Sequence, residues 1–227
     1  MTIRYTVIIL LLTIAAPLQA DTIAIIGTGS VAKALGPEFA ALGHTIVYGS
    51  RSPASEKTLA LVGDTPGDAS AALPRDAVVD ADIVVLAVPG LLVEEITRGL
   101  GDLSEKILID PTNPIIGDWD SRLSMGVATS NTWIVQNAAP DAHVVKAFST
   151  LNWRQMVDPE GPISILLAGN NDAAKQRVAG LVVAMGLEPI DLGTAEDAHW
   201  IEGMTVLWLN NRISSRPNFE FHLRNIE

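Results

Sequence analysis

The residues whose types and spacing best suit chemistry are Gly27-Thr28-Gly29-Ser30-Val31-Ala32. Gly27 permits a tight turn, and Gly29, lacking a Cβ, lets the backbone approach a pyrophosphate. Ala32 is small enough for a helix to pack against the preceding strand. Free N–H groups at the start of that helix, with the positive end of its dipole, then face the phosphates. Glycines in a turn are common, so the context decides. Here the turn follows the apolar run Thr22–Ile26, opens a helical stretch Val31–Leu42 closed by Gly43, and leads into a second strand, His44–Tyr48. Strand, glycine turn, helix and strand form one βαβ unit, and that context points to a dinucleotide.

The end of the second strand selects which dinucleotide. A site for an unphosphorylated ribose usually places a carboxylate there, about twenty residues beyond the glycines, on the 2′-hydroxyl. This chain instead has Tyr48-Gly49-Ser50-Arg51, with no Asp or Glu before Glu56. A hydroxyl and a guanidinium suit a 2′-phosphate, which a carboxylate would repel. Lys57 adds a second cation nearby. NADP(H) is therefore the expected cofactor.

Ligands in open parallel sheets sit beyond the carboxyl ends of the strands. Two later strand ends, Ala87-Val88-Pro89-Gly90 and Asp110-Pro111-Thr112-Asn113-Pro114, are stiffened by proline and fit beside the ribose and nicotinamide. The plainer alternative is that these residues simply terminate strands. Asn113 is the best polar contact among them. No acid–base constellation accompanies these sites. There is no GxSxG, no HExxH and no Lys/His pair at a reductase spacing. Reducing a ketone needs a proton donor, whereas hydride exchange between redox cofactors chiefly needs alignment. Asp197 and His199 lie two apart on a helix and do not face each other, so His199 is expected to pack or cap. Trp200, Met204 and Trp208 read as core or dimer contacts rather than as a flavin platform.

The elements that position these residues follow from hydrophobic periodicity. Strands are predicted at Ala81–Val88, Lys106–Asp110, His143–Phe148, Ile163–Ala168 and Glu188–Asp191. Helices are predicted at Leu91–Leu100, Thr132–Ala138, Asp172–Met185 and Ala195–Arg212, with a terminal edge strand at Asn218–Leu223. Strands alternating with helices give an α/β, Rossmann-type, doubly wound and mainly parallel sheet. A short C-terminal extension of mixed helix and strand begins near residue 170. Residues 21–227 thus form a single domain.

Composition narrows the class. A net charge of −11, with 15 Lys and Arg spread thinly, argues against nucleic acid. The absence of cysteine removes disulfides and thiolate chemistry. The four histidines lack zinc-site spacing, so no metal is expected. Residues 1–20 have the layout of a secretory signal: Arg4, an apolar run at Val7–Ile14, and Pro17–Ala20 before Asp21. The apolar run is too short to span a bilayer comfortably. Export with cleavage, to the periplasm or beyond, is the expectation; an uncleaved anchor or a cytoplasmic protein are the alternatives. A homodimer stays open.

The motifs IAIIGTGSVAKAL, YGSR, ADIVVLAVP, ILIDPTNP, VVKAFSTLN and FEFHL together resemble the NADPH-dependent oxidoreductases that use the deazaflavin coenzyme F420. They are also similar to the cytosolic domain of membrane ferric reductases, which passes hydride from NADPH to a flavin. The resemblance implies that Gly27, Thr28, Gly29, Ser30, Val31, Ser50 and Arg51 hold NADP. It also implies that Val88, Pro89 and Ala147–Phe148 lie near the nicotinamide, where an acceptor ring would stack. One departure is Ser149, where the family usually has Asn; it stands where it could face the acceptor. The expectation is an oxidoreductase exchanging hydride between NADPH and a deazaflavin or flavin. The alternatives are a nucleotide-binding module without turnover and an imine or hydroxy-acid reductase. The latter normally carries a large helical C-terminal domain.

Overall fold

A computed structural model describes residues 20–217 and 219–224. The signal-like segment therefore lies outside the described residues except for Ala20, as does Asn218 of the expected edge strand. Strand β1 (Thr22–Ile26) leads through the glycine turn into helix α1 (Ser30–Ala41), and Gly43, at φ +93°, reverses the chain into β2 (Thr45–Gly49). Helix α2 (Glu56–Asp64), strand β3 (Ala69–Ala72), the short helix α3 (Pro74–Ala77) and β4 (Ile83–Val85) follow. A 3-10 turn (Gly90–Leu92) leads into α4 (Val93–Gly99), then β5 (Ile107–Asp110). A hairpin of β6 (Ile115–Asp118) and β7 (Arg122–Met125) precedes α5 (Asn131–Ala138) and β8 (His143–Lys146). Strand β9 (Ser164–Gly169), helix α6 (Asp172–Ala184), strand β10 (Glu188–Asp191) and helix α7 (Ala198–Ile213) complete the order.

The main sheet runs β10-β9-β8-β5-β4-β1-β2-β3. From β8 to β3 every pairing is parallel, β9 joins β8 antiparallel, and β10 is parallel to β9. This is the doubly wound order, with its switch point between β1 and β4. Alternation along β1 explains why helices cover both faces. Ile23 and Ile25 pack with Leu35 and Phe39 of α1 and Val178 and Leu181 of α6. Ala24 and Ile26 face the other way, towards Ala77, Val93 and Val135 of α3, α4 and α5. Beyond β8, Leu166 and Ala168 of β9 continue this second face and pack on Ala198 and Ile201 of α7.

Several elements depart from the sequence expectation, among them the short helix α3. The α2–β3 pair was not foreseen, because Ala69-Ser70-Ala71-Ala72 has no bulky residue to mark a strand; it pairs with β2 at the sheet edge. Nor was the β6–β7 hairpin, which rests on α7 rather than on the sheet: Asn210 accepts from the Leu123 N–H at 2.7 Å and donates to its carbonyl at 2.8 Å. The terminal stretch is not an edge strand among the described residues. It lies beside the start of β9, where Ser164 Oγ donates to the Leu223 carbonyl (3.0 Å) and accepts from its N–H (2.9 Å).

Candidate functional site

The glycine turn is built as the spacing requires. Gly27 adopts φ +114°, and its N–H donates to the Gly49 carbonyl at 2.9 Å, tying the turn to the end of β2. A Cβ at Gly27 would lie 2.2 Å from the Ala87 carbonyl oxygen, so the backbone at the end of β4 reaches contact with the turn. Gly29 caps α1 and is exposed; a Cβ there would meet nothing within 4 Å. The first turn of α1 carries no acidic residue and its N-cap makes no side-chain hydrogen bond. Its N–H donors are open to an anion. Thr28 and Val31 are half-buried and Ser30 is exposed on the same turn.

The loop after β2 separates the roles of its polar residues. Ser50 is buried, its hydroxyl bonded to Thr58 Oγ1 at 3.1 Å and accepting from the Ser52 N–H at 3.1 Å. Its work is to hold the loop against α2. Arg51 on the loop and Lys57 in the first turn of α2 are exposed cations.

The ends of β4, β5 and β8 converge beyond the sheet. Val88 is half-buried and Pro89 exposed. A Cβ on Gly90 would fall 2.0 Å from the Asn113 carbonyl oxygen, so these two loops touch. Asn113 Nδ2 donates to the Ser149 carbonyl at 2.9 Å, and Thr205 Oγ1 of α7 donates to the same oxygen at 2.9 Å. Ala147 is sealed in the core, while Phe148 turns at φ +60°, a conformation a bulky residue rarely adopts. That turn carries Phe148 and Ser149 to the wall of a cavity of about 590 Å³. Val31 from α1, Asn113 from the loop after β5, and Trp208 and Arg212 from α7 line it as well. Trp208, expected as a core or dimer contact, is buried and also forms part of the wall of this cavity. Its volume suits a small-molecule ring system. His199 behaves as expected, bonding the Thr129 carbonyl and packing edge-on against Trp200.

Beneath this wall lies a buried ionic network that motif reading missed. Lys146 Nζ sits 2.7 Å from Asp110 Oδ2, 2.7 Å from Glu202 Oε1 and 2.7 Å from the Thr112 carbonyl it donates to. Asp110 Oδ1 accepts from Thr112 N–H (2.9 Å) and Oγ1 (2.6 Å), and its Oδ2 from Thr132 Oγ1 (2.8 Å). Glu202 accepts from the Asn131 N–H at the start of α5. All three charged side chains are fully buried. Burial pulls the Lys146 ammonium down, but the charges of Asp110 and Glu202 outweigh it and its pKa rises. Burial also raises the Glu202 carboxyl, against the pull of Lys146. A lysine at the end of the apolar run His143-Val144-Val145 was the available signal: such a charge is kept only when partnered. Among the described residues no group of three or more His, Cys, Asp or Glu side chains can hold a metal ion.

Comparison with known proteins matches residues 22–114 to the family described as NADP oxidoreductase coenzyme F420-dependent. Over these residues the chain is similar to that family. A solved structure described as an F420-dependent NADP reductase from Arthrobacter sp. FB24 superposes with a TM-score of 0.81 at 28% identity, covering 91% of this chain and 100% of the other. The F420-dependent NADP reductase of Methanothermobacter thermautotrophicus is 29% identical over 84% of this chain and 88% of its own length. The metalloreductase STEAP3 of Rattus norvegicus is 27% identical over 83% of this chain, which spans only 37% of that protein. The family match ends just past Asn113, so the walls contributed by Phe148, Ser149 and α7 lie beyond it.

Proposed function

We propose that this protein is an NADP(H)-dependent oxidoreductase that exchanges hydride between NADPH and a deazaflavin or flavin. The observation that carries this is the cavity beyond β5 and β8. It adjoins the glycine turn through Val31, has indole and phenyl walls, and contains no acid–base pair. A nicotinamide reaching the edge of this cavity from the glycine turn would need an acceptor ring that occupies the cavity and stacks on it rather than one that needs a proton donor. In this reading Gly27, Thr28, Gly29, Ser30 and Val31 cradle the pyrophosphate. Arg51 and Lys57 hold the 2′-phosphate on the loop that Ser50 braces. Val88, Pro89, Asn113 and Phe148 surround the nicotinamide, whereas Ala147, expected there from the motif, is fully buried behind them. The relatives named as F420-dependent NADP reductases support the donor and the acceptor class.

NADPH oxidation with coenzyme F420 or FMN as acceptor tests the reading. Turnover is expected with at least one of them. Tight NADPH binding with no turnover of any flavin-type acceptor would leave a nucleotide-binding module instead. Arg51→Ala should raise KM for NADPH about tenfold while leaving NADH unchanged, since one charge-assisted contact to the 2′-phosphate is lost. The imine-reductase alternative is less favoured, because the cavity lining contains no acid–base pair to serve its proton transfer. Among the described residues no helix is long and apolar enough to cross a membrane. Export directed by residues 1–20 and a homodimer covering the exposed Trp200 and Leu207 belong to the same proposal.

A further inference from the structure

A second cavity, also about 590 Å³, adjoins the first. Asn152, Trp153, Trp208 and Arg212 line both, so two indoles and a guanidinium stand at the junction. In the first cavity Arg212 is the sole ionisable side chain among apolar and neutral polar walls. Its guanidinium carbon lies 5.0 Å from the ring centre of Trp208. Arg154, at the second cavity, lies 4.4 Å over Trp153. Both arginines are exposed. Among the described residues the arginine ion pairs are those of Arg98 with Glu94 and Arg177 with Asp21. Arg154 and Arg212 thus stack on indoles without neutralising a carboxylate, although Asp158, Glu160 and Glu220 line the same second cavity. Stacking restricts a long side chain and keeps its N–H fork free to bind an oxyanion.

We propose that this junction is a tail subsite: the acceptor's ring occupies the first cavity, and a phosphate on its side chain is held by Arg212, with Arg154 as a second donor. The proposal rests on the reading of the first cavity as the acceptor site. It names the substrate class more narrowly, as a planar redox ring bearing a short anionic tail. In a protein of net charge −11, long-range attraction does not bring an anion here, so the local guanidiniums must supply the binding. The three nearby carboxylates oppose a polyanionic tail and favour a single phosphate.

FMN and riboflavin share one ring system and differ by that phosphate, which makes them the probes. The full chain is titrated with each, without NADPH, by quenching of flavin fluorescence. FMN should bind at least about tenfold more tightly, and the gap should narrow with added salt. Arg212→Ala should close the gap by weakening FMN while riboflavin is unchanged, and Arg212→Lys should keep part of it. Unchanged NADP+ affinity in the Arg212→Ala protein checks that the fold is intact. Equal affinity for the two flavins, no binding of either, or a gap that survives Arg212→Ala would each overturn the proposal. Failure of hydride transfer is read separately, as absent NADPH oxidation, and leaves this titration decisive on its own.

Discussion

Gly27 and Gly29 are both glycines of one motif, yet the structure gives them different reasons to be glycine. Gly27 is required by the protein itself: it sits at φ +114° with the Ala87 carbonyl where its Cβ would be. Nothing in the protein requires glycine at 29, since its φ of −85° suits any residue and nothing stands within 4 Å of its missing Cβ; under the proposed function the requirement is the ligand's. Gly27→Ala should therefore lose about 2 kcal/mol or more of stability in chemical denaturation, from left-handed strain plus the clash. Gly29→Ala should stay within about 0.5 kcal/mol of the wild type. It should nonetheless weaken NADPH binding about tenfold or more in calorimetry, because its methyl group blocks the pyrophosphate's approach. Wild-type affinity in Gly29→Ala would remove the phosphates from this turn. Ser50 shows the limit of motif reading at this scale. Its hydroxyl type suggests a phosphate ligand, and folding adds a second role, bracing the loop through Thr58 and Ser52.

Among elements, the decisive link is the Asp110–Lys146–Glu202 network, which joins the ends of β5 and β8 to α7 and, through the Asn131 N–H, to α5. It fixes where α7 lies and hence where Thr205, Trp208 and Arg212 face the cavity. Glu202 also sets a pH dependence. Its carboxyl is raised above the ordinary 4.5, so the folded state holds this proton more tightly than the unfolded chain does. The stability from this group is full below 4.5 and is lost as the pH rises through the raised folded value. Glu202→Gln cannot ionise, so its denaturation midpoint should fall less than that of the wild type over this window. Parallel pH profiles for the two proteins would remove Glu202 from the linkage. Lys146 could be noticed in the sequence, but its partners are 36 and 56 residues away, at distances only folding closes.

For the whole molecule, the contacts that close the fold join distant parts of the chain. Asp21, just before β1, pairs with Arg177 of α6 at 2.6 Å and donates its N–H to the buried His44 ring at 3.0 Å. This clasp holds the first described strand against a helix of the C-terminal extension. Arg177→Ala should cost about 1 kcal/mol in denaturant unfolding, modest because the guanidinium is partly exposed. A cost near zero would show that apolar packing between β1 and α6 suffices. The alternating strands and helices, the parallel order and the small C-terminal extension were legible, because buried parallel strands read as continuous apolar runs. The β3 edge strand and the β6–β7 hairpin were not. The β3 residues are small, β6 and β7 are only four residues each and pair outside the main sheet, and their places are set by Tyr48, Gly49 and Asn210 elsewhere in the chain.

The sequence by itself determined the dinucleotide turn, since its glycines, the strand before it and the helix after it act within a few bonds of one another. It also determined the character of the loop after β2, because Arg51 and Lys57 stand where a carboxylate would select an unphosphorylated ribose. Only the tertiary structure decided the other half of the site. The cavity beside Phe148 is assembled from α1, the loop after β5, the end of β8 and α7, and none of these reveals its partners by local pattern. Trp208 and Arg212 look like ordinary residues of an apolar helix until the buried Lys146 network draws that helix across the ends of the strands.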